Sequence, residues 1–199
     1  MIKRSFFWIL LLIFTSANAA EVDSMFVGGA AYKLLHISND HNSGYLYAEN
    51  YQHKKILVYQ SNSPYQPDST FGSDQLEGTD ILDIMFQCNK DMCTRYLNRR
   101  TSELSKIYTN VLDYNGKKDV IAYYLKDKNL VIISRAFKAC KNPLIYPVKL
   151  EENSDFGIKT KFLPTGGLLL DYEIEGGKDV IKIIQPNYKK LFSNCGSAP

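Results

Sequence analysis

Short segments in which apolar and polar residues alternate run through most of the chain, and residues that favour turns separate them. Alternation with a period of two is typical of a strand with one buried face, and Gly, Asn, Asp and Pro favour tight turns. The pattern predicts three antiparallel hairpins, whose strands are Tyr45–Glu49 with Lys55–Gln60, Ile81–Cys88 with Cys93–Asn98, and Val120–Leu125 with Leu130–Ala136.

A three-stranded meander is predicted nearer the C-terminus, with strands at Phe156–Leu163, Leu168–Ile174 and Val180–Gln185. Helical periodicity is almost absent, and only Ser24–Leu35 and Tyr188–Ser193 could form short helical turns. We therefore expect an all-β protein built from antiparallel hairpins and a meander, with the sheets packed as a sandwich or in a propeller-like arrangement.

Two segments resemble each other at an offset of 60 residues: Lys118-Asp119-Val120-Ile121 and Lys178-Asp179-Val180-Ile181, each preceded by Leu-Asp-Tyr. This similarity has two possible explanations. Either the chain contains a repeated sheet unit, or strand–turn–strand segments resemble each other by composition in a chain rich in Lys and Ile. A propeller usually needs four to eight blades of about 40–50 residues, for which this chain is small.

The segment 61–78 contains Pro64, Pro67, Gly72 and Gly78 and has little periodicity, so a surface loop is predicted there. Only about 40 residues lie between the predicted signal peptide and this loop, too few to build a core alone. A single all-β domain over residues 20–199 is therefore expected.

The first 19 residues have the three parts of a cleavable signal peptide: the basic pair Lys3-Arg4, an apolar run from Phe6 to Phe14, and small residues ending at Ala19. Nine apolar residues would span about 14 Å as a helix, roughly half of the hydrocarbon core, so a retained anchor is not favoured. These features predict a bacterial periplasmic or secreted protein that has no membrane anchor once its signal is removed.

All four cysteines, Cys88, Cys93, Cys140 and Cys195, follow the predicted signal, and an even number in an oxidising compartment favours two disulfides. Three pairings are possible. We expect Cys88–Cys93 to close one hairpin and Cys140–Cys195 to hold the C-terminal tail, because Cys195 lies where a chain otherwise frays. Zinc binding is not favoured, since the Cys88-x4-Cys93 pair has no second close pair.

The net charge and the absence of known catalytic motifs reduce the number of functions to consider. Removing residues 1–19 leaves 22 basic and 21 acidic residues, so no electrostatic footprint for nucleic acid is expected. The basic pairs, including Arg99-Arg100, are interpreted as solvated turn residues. The sequence contains no G-x-S-x-G motif and no glycine-rich phosphate loop, so no catalytic residue, cofactor or metal is assigned.

The spacing of Cys88-Asn89-Lys90-Asp91-Met92-Cys93 resembles the disulfide-closed C-x4-C loop of some bacterial periplasmic lysozyme inhibitors, in which that loop plugs an enzyme's active site. The resemblance is one of spacing and covers these six residues. The histidine that such a loop uses is missing here.

Three hypotheses for function remain. The leading one is a non-enzymatic exported protein that binds and neutralises or modulates another protein, as an inhibitor or immunity-type protein does, through Asn89, Lys90, Asp91 and Met92 at the closed hairpin end. The 14 tyrosines are compatible with an interface. The alternatives are a secreted hydrolase whose acid–base pair only the fold would reveal, and a structural component of an envelope complex. The oligomeric state is left open.

Cleavage after Ala19 has a spectroscopic consequence, because Trp8 is the only tryptophan in the chain. Protein recovered from the envelope of its host should begin at Ala20 in N-terminal sequencing and show tyrosine but no tryptophan emission. Replacing Ala19→Asp removes the small residue that the cleavage site needs and should leave Trp8 in the product. Tryptophan emission from the unaltered exported protein would contradict the prediction.

Overall fold

The computed structural model of the protein describes residues 21–25, 34–40, 43–61, 72–88, 91–148, 159–174 and 177–195. Within these ranges the chain forms antiparallel sheets, one 3₁₀ turn at Lys126–Lys128 and one short α-helix. The prediction of a single all-β domain with two disulfides is confirmed.

Four sheets follow one another along the chain, each built from consecutive strands. The first contains β1 (Glu21–Met25), β2 (Leu34–Asp40), β3 (Ser43–Glu49) and β4 (Lys55–Ser61). The second contains β5 (Gly72–Gln75), β6 (Ile81–Cys88), β7 (Asp91–Asn98) and β8 (Glu103–Leu104), and β9 (Tyr108–Thr109) also pairs with β7. The third contains β10 (Val111–Asn115), β11 (Val120–Leu125), β12 (Leu130–Arg135) and β13 (Leu144–Pro147), and the fourth contains β14 (Lys159–Phe162), β15 (Leu168–Ile174) and β16 (Lys178–Ile184).

The three predicted hairpins and the meander are confirmed as the pairs β3–β4, β6–β7 and β11–β12 and the sheet β14–β15–β16. In the predicted loop 61–78, β4 extends to Ser61 and Gly72–Gln75 form β5, which pairs with β6, while residues 62–71 lie outside the described residues. The predicted signal peptide also lies outside them.

Of the two segments predicted to form short helical turns, only the one at Tyr188–Ser193 is helical in the described residues. The helix α1 spans Tyr188–Cys195, and the side chain of Asn187 caps it by accepting a 2.9 Å hydrogen bond from the Lys190 N–H. The two ends of Ser24–Leu35 belong instead to β1 and β2, and residues 26–33 lie outside the described residues. The two similar segments both contribute to hairpins, β10–β11 and β15–β16.

Three hydrophobic clusters join sheets that are consecutive in the chain. Leu46, Ala48 and Val58 of the first sheet pack with Leu82, Ile84 and Phe86 of the second. Ile81, Tyr96 and Tyr108 of the second pack with Ile121 of the third and with Ala136, which directly follows β12. The largest cluster joins the third sheet to the fourth and to α1, and includes Val120, Ala122, Ile133, Leu168, Leu170 and Leu191.

The third sheet is covered on both faces, and its two inner strands reflect this in their sequence. Strands that are buried on both faces read as continuous apolar runs rather than as alternating ones. Strand β11 reads Val-Ile-Ala-Tyr-Tyr-Leu, with Ile121 facing the second sheet and Val120 facing the fourth. The third sheet therefore lies between the second and the fourth.

Arginine side chains of β7 and of the turn after it connect the first two sheets. The Arg95 guanidinium donates to the Val58 and Ser105 carbonyls. The Arg99 guanidinium donates to the Glu49 carbonyl at 3.3 Å and to Gln75 Oε1 at 3.1 Å. The interpretation of Arg99 as a solvated turn residue is wrong, because it is 5% exposed and donates to the Glu49 carbonyl of the first sheet. Its neighbour Arg100 is exposed and pairs with Asp80.

The Asp119 carboxylate, at the turn between β10 and β11, accepts hydrogen bonds from several directions. Its Oδ2 accepts from the Arg135 guanidinium at 2.8 and 2.9 Å, and its Oδ1 accepts from the Ala136 and Phe137 N–H groups at 3.2 and 3.3 Å. Both partners of this ion pair are almost wholly buried. Burial raises the pKa of the Asp119 carboxyl, and the Arg135 guanidinium opposes that rise.

Replacing Asp119→Ala should lower the free energy of unfolding by about 3–5 kcal/mol, because the buried Arg135 charge and two backbone N–H groups lose their acceptor. Asp119 also has a φ of 50°, which alanine tolerates poorly. Urea unfolding followed by circular dichroism measures the change. Asp80→Ala is the matched control: it removes the exposed partner of Arg100 at 2.7 Å and should change stability little. Equal losses in the two variants would contradict the central role of Asp119.

Candidate functional site

The strand pairing of the β6–β7 hairpin extends further toward its end than the sequence predicts. The two strands pair along their whole length, from Ile81 with Asn98 to Cys88 with Asp91, so only residues 89 and 90 remain between them. The second strand was predicted to begin at Cys93, but it begins at Asp91, which places Asp91 and Met92 in β7. Asn89 and Lys90, predicted to bind a partner, lie outside the described residues.

The Cys88–Cys93 disulfide closes this hairpin end from its inner side. Both cysteines are buried on the face that packs against the first sheet, beside Phe86, and their Cα atoms are 5.7 Å apart. The predicted pairing is confirmed, as is Cys140–Cys195, whose Cα atoms are 4.2 Å apart. The first bond fixes the hairpin end to the core, and the second fixes α1 to the segment after β12.

The opposite face of the hairpin end carries an exposed apolar surface. Met85 faces Thr94 across the two strands, and Gln87 faces Met92, so all four side chains lie on one side of the sheet. Met85 is 43% exposed and Met92 is 50% exposed. We call Met85, Gln87, Met92 and Thr94 the clasp face. Methionine side chains are flexible and polarizable and suit contact with partners of varied shape.

A cleft of about 240 Å³ adjoins the clasp face, because Thr94 pairs in turn with Tyr108 of β9. The cleft lies between the second and third sheets. Its lining includes Lys106, Tyr108, Tyr123, Arg135, Phe137 and Lys138. The clasp face and the cleft are therefore neighbours on one side of the molecule.

Two tyrosine rings form part of the wall of the cleft. The Lys106 Nζ lies 4.9 Å from the ring centroid of Tyr108 and 5.2 Å from that of Tyr123. The Tyr108 hydroxyl lies 3.2 Å from the Arg135 carbonyl oxygen and 3.1 Å from that of Ala136, to which it can donate. Burial raises the pKa of both tyrosines, so their hydroxyls carry no charge near neutral pH.

A pair of carboxylates lies elsewhere on the second sheet, where Asp74 of β5 faces Asp83 of β6. The Asp83 Oδ1 is buried and accepts no hydrogen bond within the described part of the chain. Burial, together with the charge of Asp74, raises the pKa of Asp83 to about 7. A carboxyl group with a raised pKa beside a second carboxyl group is an arrangement that acid–base catalysis uses, and also one that an unpaired buried group produces.

Sequence reasoning predicted the Cys88–Cys93 disulfide correctly but missed the cleft and the carboxylate pair. A signal for Asp83 was present, because it interrupts the apolar segment Ile81-Leu82-Asp83-Ile84-Met85-Phe86. The cleft had no such signal, since Lys106 and Lys138 are separated by 32 residues and only strand pairing brings their segments together. Among the described residues, no group of three or more His, Cys, Asp or Glu side chains could hold a metal ion.

Comparison with models of protein families, with characterised proteins and with solved structures found no match for this chain. In the described residues, no helix has the length and apolar character needed to cross a membrane. The two disulfides are compatible with an extracellular protein. The functional conclusion therefore depends on the geometry of the surfaces above.

The pKa of Asp83 predicts how stability varies with pH. Because the folded-state pKa of about 7 exceeds the unfolded value of about 3.9, the folded protein retains a proton that the unfolded chain releases. This group should therefore lower the free energy of unfolding by about 1.4 kcal/mol for each pH unit as pH rises from about 4 to 7.

Asp83→Asn should remove this dependence and be more stable than the unaltered protein at pH 7.5, with a much smaller difference at pH 4.5. Urea unfolding at the two pH values measures both. Asp74→Asn is the control that removes only the neighbouring charge, and it should weaken the dependence without abolishing it. Parallel pH profiles for the unaltered protein and Asp83→Asn would show that Asp83 titrates normally.

Proposed function

We propose that this protein is a non-enzymatic exported protein of the bacterial periplasm or exterior, which binds another protein and neutralises or modulates it through the clasp face and the adjoining hairpin end. One observation carries the proposal: the Cys88–Cys93 disulfide anchors the hairpin end to the core from inside, while Met85 and Met92 are about half exposed on its other side.

Preorganisation is the physical reason for choosing this surface. A flexible loop loses conformational freedom when it binds, whereas a paired and disulfide-closed hairpin has lost most of that freedom on folding. Binding of the partner then buries two methionines, which are large apolar side chains, and little conformational entropy of the hairpin is lost. Asn89 and Lys90 connect β6 to β7 in the sequence and remain predicted contacts of the partner.

The test begins with capture of the tagged protein from the envelope of its native host and identification of a partner present in equal amount. The purified partner is then titrated against variants by calorimetry. Met92→Asp and Met85→Asp each place a charge in the contact and should weaken binding at least tenfold. The matched control is Ile181→Asp, which alters a 71% exposed apolar residue in the fourth sheet and should leave the affinity unchanged.

Wild-type affinity in both methionine variants would contradict the assignment of the clasp face. Failure to recover any partner in equal amount would contradict the binding function itself. A photo-crosslinking amino acid at position 92 adds an independent readout, since it should join the protein covalently to the same partner and a crosslinker at position 181 should not.

A secreted hydrolase is the second candidate, and the Asp74–Asp83 pair is the observation that favours it. In that function Asp83 would donate a proton as the general acid, and Asp74 would act as base or nucleophile. The purified protein is assayed against peptidoglycan and soluble glycans. Hydrolysis that Asp83→Asn abolishes, without loss of stability, would favour the enzyme, and absence of hydrolysis by the unaltered protein would favour the binder.

A structural component of an envelope complex is the remaining candidate. Ile181 and Ile183 of β16 are 71% and 51% exposed, and β16 is the terminal strand of the fourth sheet in the described part of the chain. Edge strands with exposed apolar residues can pair with other chains. Recovery of the protein in a large assembly that Ile181→Asp disrupts would favour this candidate.

A further inference from the structure

We propose that the cleft beside the clasp face binds a carboxylate of the protein partner, so that the partner presents an acidic group next to an apolar segment. This inference rests on the proposed binding function and adds the chemistry of the partner. It is carried by four properties of the cleft: its charge, its walls, its size and its position.

The charge of the cleft is positive and largely uncompensated. The guanidinium of Arg135 is neutralised by Asp119 at 2.8 Å, which leaves Lys106 and Lys138 as the charged groups of the cleft. Both lysines are exposed, and in the part of the chain that the structure describes neither has a carboxylate within ion-pair distance. An anion that enters the cleft would therefore meet two cationic groups without displacing an internal partner.

The walls of the cleft favour an anion that carries an apolar body. The rings of Tyr108, Tyr123 and Phe137 line it and exclude water from part of its volume, which strengthens attraction between opposite charges. The tyrosine hydroxyls carry no charge near neutral pH and so do not repel an anion. Lys106 is already held over two rings, which reduces the side-chain freedom lost on binding.

The size of the cleft fits one acidic side chain and part of its neighbour. Its volume is about 240 Å³, many times the space that one water molecule needs. Two lysines in one pocket suit a single carboxylate, whereas a nucleic acid would require a row of cationic residues along its backbone. The carboxylate could belong to a side chain or to a C-terminus.

The position of the cleft links it to the methionine surface. Met85, Thr94 and Tyr108 form one row across β6, β7 and β9, because each faces the next in the strand pairing. Neighbouring strands are about 4.8 Å apart, so Met85 and Tyr108 lie about 10 Å apart along this row. A single extended segment of a partner can therefore contact the methionines and the cleft together.

The cleft can be tested without the partner, by NMR titration of the purified, oxidised protein with blocked tripeptides. The probes are acetyl-Phe-Glu-Phe-amide and its neutral match acetyl-Phe-Gln-Phe-amide. The Glu peptide should shift the resonances of Lys106, Tyr123 and Phe137 saturably and bind at least tenfold more tightly than the Gln peptide. Raising the salt concentration should weaken the binding of the Glu peptide.

Variants assign the effect to the two lysines. Lys106→Met and Lys138→Met keep the length of the apolar stem and should each weaken binding of the Glu peptide severalfold. Lys128→Met is the matched control, because Lys128 is exposed on the 3₁₀ turn outside the cleft, and it should bind as the unaltered protein does. A peptide with a free C-terminal carboxylate in place of Glu distinguishes the two sources of the carboxylate.

Equal binding of the Glu and Gln peptides, or full binding by both lysine variants, would overturn the inference. Tighter binding of inorganic phosphate than of the Glu peptide would also overturn it and assign the cleft to phosphate-bearing ligands. The proposed function fails separately: if Met92→Asp weakens partner binding and Lys106→Met and Lys138→Met do not, the clasp face stands and only the carboxylate site is wrong.

Discussion

The buried ion pair between Asp119 and Arg135 is the interaction on which the arrangement of this molecule depends. A carboxylate removed from water requires several donors, and Asp119 obtains them from a guanidinium and from the backbone N–H groups of Ala136 and Phe137. These bonds fix the turn before β11 to the end of β12. They also set the path of the segment after β12, which forms one wall of the cleft and leads to Cys140.

The second sheet shows how one element can serve both stability and binding. The inner face of its β6–β7 hairpin supplies Phe86, Leu82 and the buried disulfide to the core. Arg95 of β7 and Arg99 of the turn after it each donate to a carbonyl of the first sheet. Its outer face is only partly covered by the third sheet, which leaves the two methionines exposed. The same strands therefore hold a rigid core on one side and a contact surface on the other.

Local patterns made the hairpins, the meander and the pairing of the cysteines predictable. Alternation and turn residues act over a few positions, and the sequence separations of Cys88–Cys93 and Cys140–Cys195 favoured one pairing of three. Short strands such as Glu103–Leu104 and Tyr108–Thr109 carry too few residues for a period to be visible. The burial of Arg99 and the cleft depend on contacts between distant segments, which periodicity does not encode.

The consecutive order of the sheets bears on how an exported chain would acquire its structure. A polypeptide that crosses a membrane N-terminus first presents its sheets in the order in which they pack, so each sheet can find the preceding one already formed. Contacts between consecutive sheets join neighbouring parts of the sequence, so no segment has to pass through structure that has already formed. Cys88 and Cys93 also emerge together, well before Cys140, so their bond can close while no wrong partner is present. Vectorial translocation would then prevent mispairing without any need for later reshuffling.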